Sequence, residues 1–399
     1  MLSSAVFSER SAHAPQKNRI TLALEHAPPA FDLTESNPTR TQLPYAHGAL
    51  VQALDNAAVR GYAPDPHGLP EARAAVALRY GERGLRVAAD QITLTSGTSE
   101  AYAHAFRLLC NPHETFLVPR PSYPLFGPIA HAEGCKVASY PLVASEYGWR
   151  LPVEELEKAI ARTSAPRAVV VVNPNHPTGS FLTHEEAQAV RAICVRAGIA
   201  LISDEVFGDF HASYGRPEDM LARALLSDSQ SGHDVPLTFV FSGLSKVCGL
   251  PQLKLGWIVL DGPNPLVEAA REGLVWFADM FLPVAQPVQQ ALPALLAGRA
   301  RFQDAVRTRT LRNRGALAAA VARIEGAALL PADGGWTAVI ALPGSRSDEE
   351  WALALLELDV VVHPGDLYDF GEPGRLVLSL LPGPAAFDEA LQRLAEVAR

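Results

Sequence analysis

The sequence predicts an α/β fold: a large domain built on a seven-stranded, mostly parallel sheet, followed by a smaller α+β domain. Three observations predict it. The chain has 399 residues, more than the ~250–300 that one hydrophobic core usually serves. Short β-branched runs alternate with helical patterns through its middle, the pattern of parallel strands joined by helical crossovers. Beyond about residue 262 the alternation gives way to long helical segments and a few short strands.

The seven expected strands are 91–95, 115–119, 136–141, 167–173, 200–206, 237–241 and 256–260. The run from Ala168 to Val172 is apolar without alternation, as in a strand covered on both faces. Between strands, 183–197 is the clearest helix, with Thr183 and Glu186 forming a capping box and Gly198 supplying the stop. The later part predicts a long helix over 300–324, a strand over 336–342, a helix near 347–358, a short strand over 360–363, a strand over 375–380 and a final helix over 386–397. This places the large domain at 46–296, with 1–45 and 297–399 forming an N-terminal arm and the small domain. The first 19 residues read as a loose arm. Trp276, Phe277 and Phe281 sit at helical spacing and read as a core face rather than a pocket wall.

Composition narrows the function. Hydrophobic residues make up 48% and charged residues 19%, which are globular proportions. A net charge of −9 argues against a nucleic-acid or anionic-membrane partner. No apolar run approaches the ~20 residues of a membrane helix. Cys110, Cys135, Cys194 and Cys248 are scattered, with no CxxC spacing for a metal, and suit a reducing, cytoplasmic setting.

Five motifs carry chemistry, each weak when taken singly. Lys246 follows an expected strand in Ser242-Gly-Leu-Ser245-Lys246, at the sheet edge where α/β proteins bind ligands. Desolvation there would free its amine to attack a carbonyl, although an exposed loop lysine is the ordinary reading of such a residue. Asp204, in Ser203-Asp204-Glu205-Val206, ends another buried strand. It could serve a cationic ring nitrogen or simply cap a helix. Gly97, Thr98 and Ser99, between a strand and a helix, could form a phosphate cradle or an ordinary capped turn. Tyr123 lies in Arg120-Pro-Ser-Tyr-Pro124, and a Pro/Gly turn runs from Asn173 to Gly179.

Their order, each after its own strand, resembles the class I/II aminotransferases, pyridoxal-phosphate enzymes of fold type I. The resemblance runs from about Asp32 to Arg375. It implies pyridoxal 5'-phosphate as cofactor and Lys246 as the Schiff-base lysine and proton shuttle. It implies that Asp204 is the acid on the pyridine nitrogen, that Gly97, Thr98, Ser99, Ser242 and Ser245 hold phosphate, and that Tyr123 stacks on the ring. Lys254 stands where the family commonly has a phosphate-binding arginine, and a lysine lacks the bidentate fork. Tyr62 resembles the tyrosine that reaches a neighbouring subunit's phosphate, which implies a homodimer with shared sites. Arg375 resembles the arginine that grips the substrate α-carboxylate. Ser36 replaces a glycine in a segment that lies over the substrate. The implied reaction moves an amino group between an L-amino acid and a 2-oxo acid.

Two positions depart together. The family's turn usually carries an asparagine where this chain has His176, and a tyrosine where it has Phe207; both normally donate to the cofactor's phenolic oxygen. A carbon–sulfur β-lyase of the same fold is the alternative that Phe207 keeps open. A pyridoxal-binding regulator is a third reading, disfavoured by the negative charge and the short stretch before Asp32. His363, beside Pro364-Gly365, could approach the site or be a structural histidine. The missing tyrosine hydroxyl leaves the phenolate more basic and holds the Schiff-base proton more tightly. The expected outcome is that Phe207→Tyr lowers the pH at which the bound cofactor's absorbance titrates; an unmoved midpoint refutes it.

Overall fold

The computed structural model describes residues 8, 10, 17–26, 28–45, 47–58, 61, 64–226, 235–343 and 345–397. Seven strands form one sheet: β1 (Ile92–Thr95), β2 (Thr115–Arg120), β3 (Lys136–Pro141), β4 (Pro166–Val172), β5 (Ala200–Asp204), β6 (Thr238–Gly243) and β7 (Gly256–Asp261). Their order is β1-β7-β6-β5-β4-β2-β3, and only β7 runs antiparallel to its neighbours.

Burial explains the apolar runs. In β4, Ala168, Val170 and Val172 join one core with the helix Thr98–Leu109, while Val169 and Val171 face a second core with the helices Val153–Arg162 and His184–Ala197. Side chains alternate between faces, so a strand covered on both sides has no polar position. β7 behaves alike: Ile258 and Leu260 pack on one face, Trp257 and Val259 on the other against the helices Pro70–Gly81 and Gln286–Ala297. The helix His184–Ala197 has the expected cap. Thr183 Oγ1 accepts from the Glu186 N–H at 3.1 Å, Glu186 Oε2 accepts from the Thr183 N–H at 2.8 Å, and Gly198 ends it at φ 65°.

A second, antiparallel sheet orders β8 (Ala328–Leu329), β9 (Thr337–Ala341), β11 (Arg375–Ser379) and β10 (His363–Pro364). Its core includes Leu33, Leu317, Val321, Ile340, Leu376, Leu378 and Phe387, drawn from the helices Ala300–Val321 and Pro384–Val397 as well as the sheet. A two-residue strand, Phe31–Asp32, pairs in parallel with Val360–Val361 and ties the N-terminal segment to this region. The first 19 residues, expected as a loose arm, fall mostly outside the described residues, and a helix, Arg19–His26, begins where that stretch ends. Trp276 and Phe281 do not form the expected core face. They are 68% and 63% exposed, because Val267, Ala270, Leu274 and Ala278 supply the buried stripe of that helix. Among the described residues, no helix is long and apolar enough to cross a membrane.

One buried ion pair ties the regions together. Arg79 on the helix Pro70–Gly81 donates to Asp209 at 2.7 and 2.8 Å, and Gln303 on the helix Ala300–Val321 donates to the same carboxylate at 3.0 Å. Burial pushes Asp209 up, but Arg79 and Arg83 outweigh it and hold the carboxyl below its usual range. Removing one partner strands the other charge. Asp209→Ala should cost about 3–5 kcal/mol, read as a lowered denaturation midpoint; a loss below about 1 kcal/mol, the scale of an exposed pair, refutes this account.

Candidate active site

The site is set by where parallel strands stop. β4 ends at Val172 and β5 at Asp204, and β6 leads through Gly243 into the short helix Leu244–Val247, which carries Lys246. β7 begins beside them, with Gly256 in register with both Thr95 and Gly243. The C-terminal ends of β1, β4, β5 and β6 therefore share one edge, the usual ligand edge of such sheets.

Close approach at this edge requires glycines. A Cβ on Gly256 would meet Gly97 Cα at 3.0 Å and the Ser242 carbonyl oxygen at 3.0 Å; one on Gly243 would meet Gly256 Cα at 2.9 Å. Gly97 has φ 121°, a conformation open to glycine, and caps the helix Thr98–Leu109. The first-turn N–H groups of that helix have no intrahelical acceptor, so the cradle suits an anion.

A cavity of about 360 Å³ opens here. Gly97, Thr98, Ser99, Tyr123, His176, Asp204, Phe207, Ser245, Lys246, Lys254 and Ser36 all line it. The Tyr102 hydroxyl donates to Asp204 Oδ2 at 2.9 Å and the Val206 N–H to Oδ1 at 3.1 Å. Burial raises the Asp204 carboxyl to about 6, against these hydrogen bonds and the charge of Lys246. Burial lowers the Lys246 amine to about 8, against the pull of Asp204. Its Nζ stands 5.3 Å from the Phe207 ring centroid and 5.1 Å from that of Trp336. Burial, then Lys246, then His363 lower His176 to about 3, so its imidazole is neutral. It stacks on Phe207 with centroids 5.9 Å apart.

Two expected site residues stand elsewhere, and a third is not among the described residues. The Ser242 hydroxyl is buried and directed at the Glu205 carbonyl at 3.5 Å, away from the cavity. Arg375 does not line the cavity: its guanidinium pairs with Glu372 in the preceding turn, and Asp348 holds its backbone N–H at 2.8 Å. Tyr62 lies outside the described residues. Conversely, Tyr102, Trp336, Thr34 and Tyr368 belong to the site without having been singled out. The Gly334-Gly335-Trp336 run before a strand was the available signal for one of them. A Cβ on Gly179 would fall 2.3 Å from the Gly334 carbonyl oxygen, so the Pro/Gly turn and this run are packed against each other.

The donor set fits pyridoxal phosphate: a buried amine titrating near neutrality for its carbonyl, a buried carboxylate for its ring nitrogen, and a helix N-terminus with hydroxyls and Lys254 for its phosphate.

Comparison with known proteins agrees. The family model for aminotransferase class I and II matches residues 28–394. The chain is 31% identical over 283 residues to human tyrosine aminotransferase, a segment covering 71% of this chain and 58% of that protein's length. It is 27% identical over 366 residues to glutamate-pyruvate aminotransferase of Haemophilus influenzae, covering 87% of this chain and 85% of that one. The solved alanine aminotransferase from Pyrococcus furiosus shares the fold, with a TM-score of 0.85 at 22% identity over 98% of both chains. The chain belongs to the class I and II aminotransferase family.

Proposed function

We propose that the protein is an aminotransferase that moves an amino group between an L-amino acid and a 2-oxo acid, using the family's cofactor, pyridoxal phosphate. The observation that carries this reading is the Lys246 amine, lowered to about 8 and lying with the Asp204 carboxyl in one cavity. When bound, the cofactor supplies an electron sink that lets a bond to the substrate α-carbon break. Lys246 would hold the cofactor's carbonyl carbon covalently, with loss of water, and its Nζ would take and return the substrate's α-proton. Asp204, steadied by Tyr102, keeps the ring nitrogen protonated. Gly97, Thr98, Ser99, Ser245 and Lys254 hold the phosphate, and Tyr123 covers the ring. Phe207 and Trp336 exclude water from the amine.

The division into a large domain at 46–296 and a small one formed by 297–399 with the N-terminal arm belongs to the same proposal. So does a homodimer in which Tyr62 reaches the second site. Exposed Trp276, Met280, Phe281 and Leu282 support an apolar contact between copies. Four free, buried cysteines support a cytoplasmic setting.

Two measurements test the reading. L-amino acids should convert the bound cofactor to its amine form and a 2-oxo acid should restore it, in a ping-pong pattern; Lys246→Ala should slow this half-reaction by about 10²–10⁴-fold. Absence of conversion with every amino acid refutes the reading. Only the neutral amine bonds the cofactor, and burial makes it available below an ordinary lysine's range. The rate of cofactor capture by cofactor-free protein should therefore rise about tenfold per pH unit up to about 8 and then level. A rise continuing past pH 10 would refute a desolvated Lys246.

A further inference from the structure

The four cysteines are scattered in the sequence, yet the fold brings two of them together. Cys110 ends the helix Thr98–Leu109, its N–H donating to the Phe106 carbonyl at 2.9 Å. Cys135 stands immediately before β3, its N–H donating to the Ala130 carbonyl at 2.8 Å. β2 and β3 pair in parallel from Thr115 and Lys136, so the turns that lead into them lie side by side. The His113 N–H donates to the Gly134 carbonyl at 2.8 Å, and the Lys136 N–H to the Glu114 carbonyl at 2.8 Å. Arg107, three residues before Cys110, grips Glu133 through two hydrogen bonds, at 2.6 and 2.8 Å. Inside this clamp the Cys110 and Cys135 side chains are hydrogen-bonded to each other, and the Cys135 thiol also reaches the Glu133 carbonyl at 3.7 Å.

The pair differs from the other two cysteines. Cys110 and Cys135 share one core and are 9% and 8% exposed, beneath exposed Asn111, Pro112, His113 and Ala132, which leaves them close enough to the surface for a small oxidant. Cys194 and Cys248 sit in separate cores, and burial pushes both thiols up to about 12. The shared hydrogen bond also makes the pair unequal. It lowers Cys135, against burial and the charges of Glu133 and Glu114, and the same bond, then burial, raises Cys110. The first proton therefore leaves Cys135, the nucleophile of the two, while Cys110 stays a thiol beside it.

We propose that Cys110 and Cys135 form a redox site that hydrogen peroxide converts to an intrachain disulfide, joining the two ends of the segment that carries Tyr123. The Cys135 thiolate attacks one peroxide oxygen. An S–O bond forms, the O–O bond breaks, and the hydroxide that leaves becomes water with the proton Cys135 gave up. The Cys110 sulfur then attacks the sulfenic sulfur of Cys135. The S–S bond forms, the S–O bond breaks, and the hydroxyl leaves as water with the Cys110 proton. Two thiols are oxidised, and one peroxide is reduced to two waters. The bond closes a loop through β2, the Tyr123 turn and the helix Phe126–Ala132, so the oxidised chain should resist unfolding. Cys110 lies at the opposite end of its helix from the Gly97 cradle, and the inference does not depend on the reaction assigned to the site.

The test treats the intact, cofactor-loaded protein with a small excess of hydrogen peroxide. Thiols counted after denaturation should fall from four to two, and the mass should drop by about 2 Da, the two hydrogens of a disulfide. Peptide mapping should join Cys110 to Cys135, and dithiothreitol should restore all four thiols. The double variant Cys194→Ala/Cys248→Ala should still lose two thiols. Cys110→Ala should stop at a sulfenic acid on Cys135, trapped by dimedone. The urea midpoint of the wild-type protein should rise on oxidation, and that of Cys110→Ala should not. Four surviving thiols, a bridge to Cys194 or Cys248, chains joined to each other by disulfides, or a disulfide that leaves the urea midpoint unmoved overturns the proposal. Mapping of the unaltered protein decides the bridge without relying on any variant.

Discussion

The organising constraint is the burial of one amine. A lysine removed from water loses the hydration that keeps it charged, and Lys246 settles to about 8 for that reason. The surrounding side chains answer to this. Phe207 and Trp336 turn ring faces toward Nζ, which stabilises the charged form weakly and keeps water out. Asp204 supplies an opposing charge that acts on the amine. Its own carboxyl is raised by the same burial, and Tyr102 and the Val206 N–H prevent it from neutralising altogether. The two groups are tuned toward each other, which makes proton traffic possible near neutral pH.

The backbone makes that dry pocket reachable. Gly97, Gly243 and Gly256 converge where three strands meet; a side chain on Gly256 would press on Gly97 at the helix N-terminus, and one on Gly243 would press on Gly256. The cradle at Gly97 and the lysine after Gly243 are thus placed by one packing solution. On the far side, the segment carrying Trp336 is fixed by a second. Arg216 and buried Asp333 form an ion pair at 2.7 Å, and the Phe181 N–H donates to Asp333 at 3.1 Å, locking 332–336 against the Pro/Gly turn that bears His176. The Thr337 hydroxyl donates to the Pro177 carbonyl at 2.8 Å in the same seam.

Most of the large sheet was legible because burial on both faces leaves a compositional trace: Val169, Val170 and Val171 admit no polar residue. The strand-end positions of Lys246, Asp204 and Gly97 were legible because strand ends are marked by turn residues. What escaped lies where position depends on long-range pairing. Tyr102 is one helical turn past Thr98, and its role exists only because β5 ends beside that helix. Trp336 and Tyr368 reach the cavity from the second sheet, whose register no local pattern announces. Arg375 shows the converse failure: its flanking β-like run predicts the strand correctly, but not that it stands at the strand's outer end with Glu372 as partner.

That failure separates two kinds of information in the site. The groups that would hold the cofactor come from strand ends of one sheet and the loops directly after them, so their spacing in the sequence is nearly their spacing in function. The groups that would meet the substrate come from the 34–36 segment, the 332–337 segment and the strand pair β10–β11, brought over the cavity by contacts between distant stretches. The cofactor end is thereby constrained by the sheet itself, whereas the substrate end can be rewritten by strand register and a handful of side chains. In this chain those distant contacts bring Trp336, Thr337, His363 and Tyr368 to the cavity.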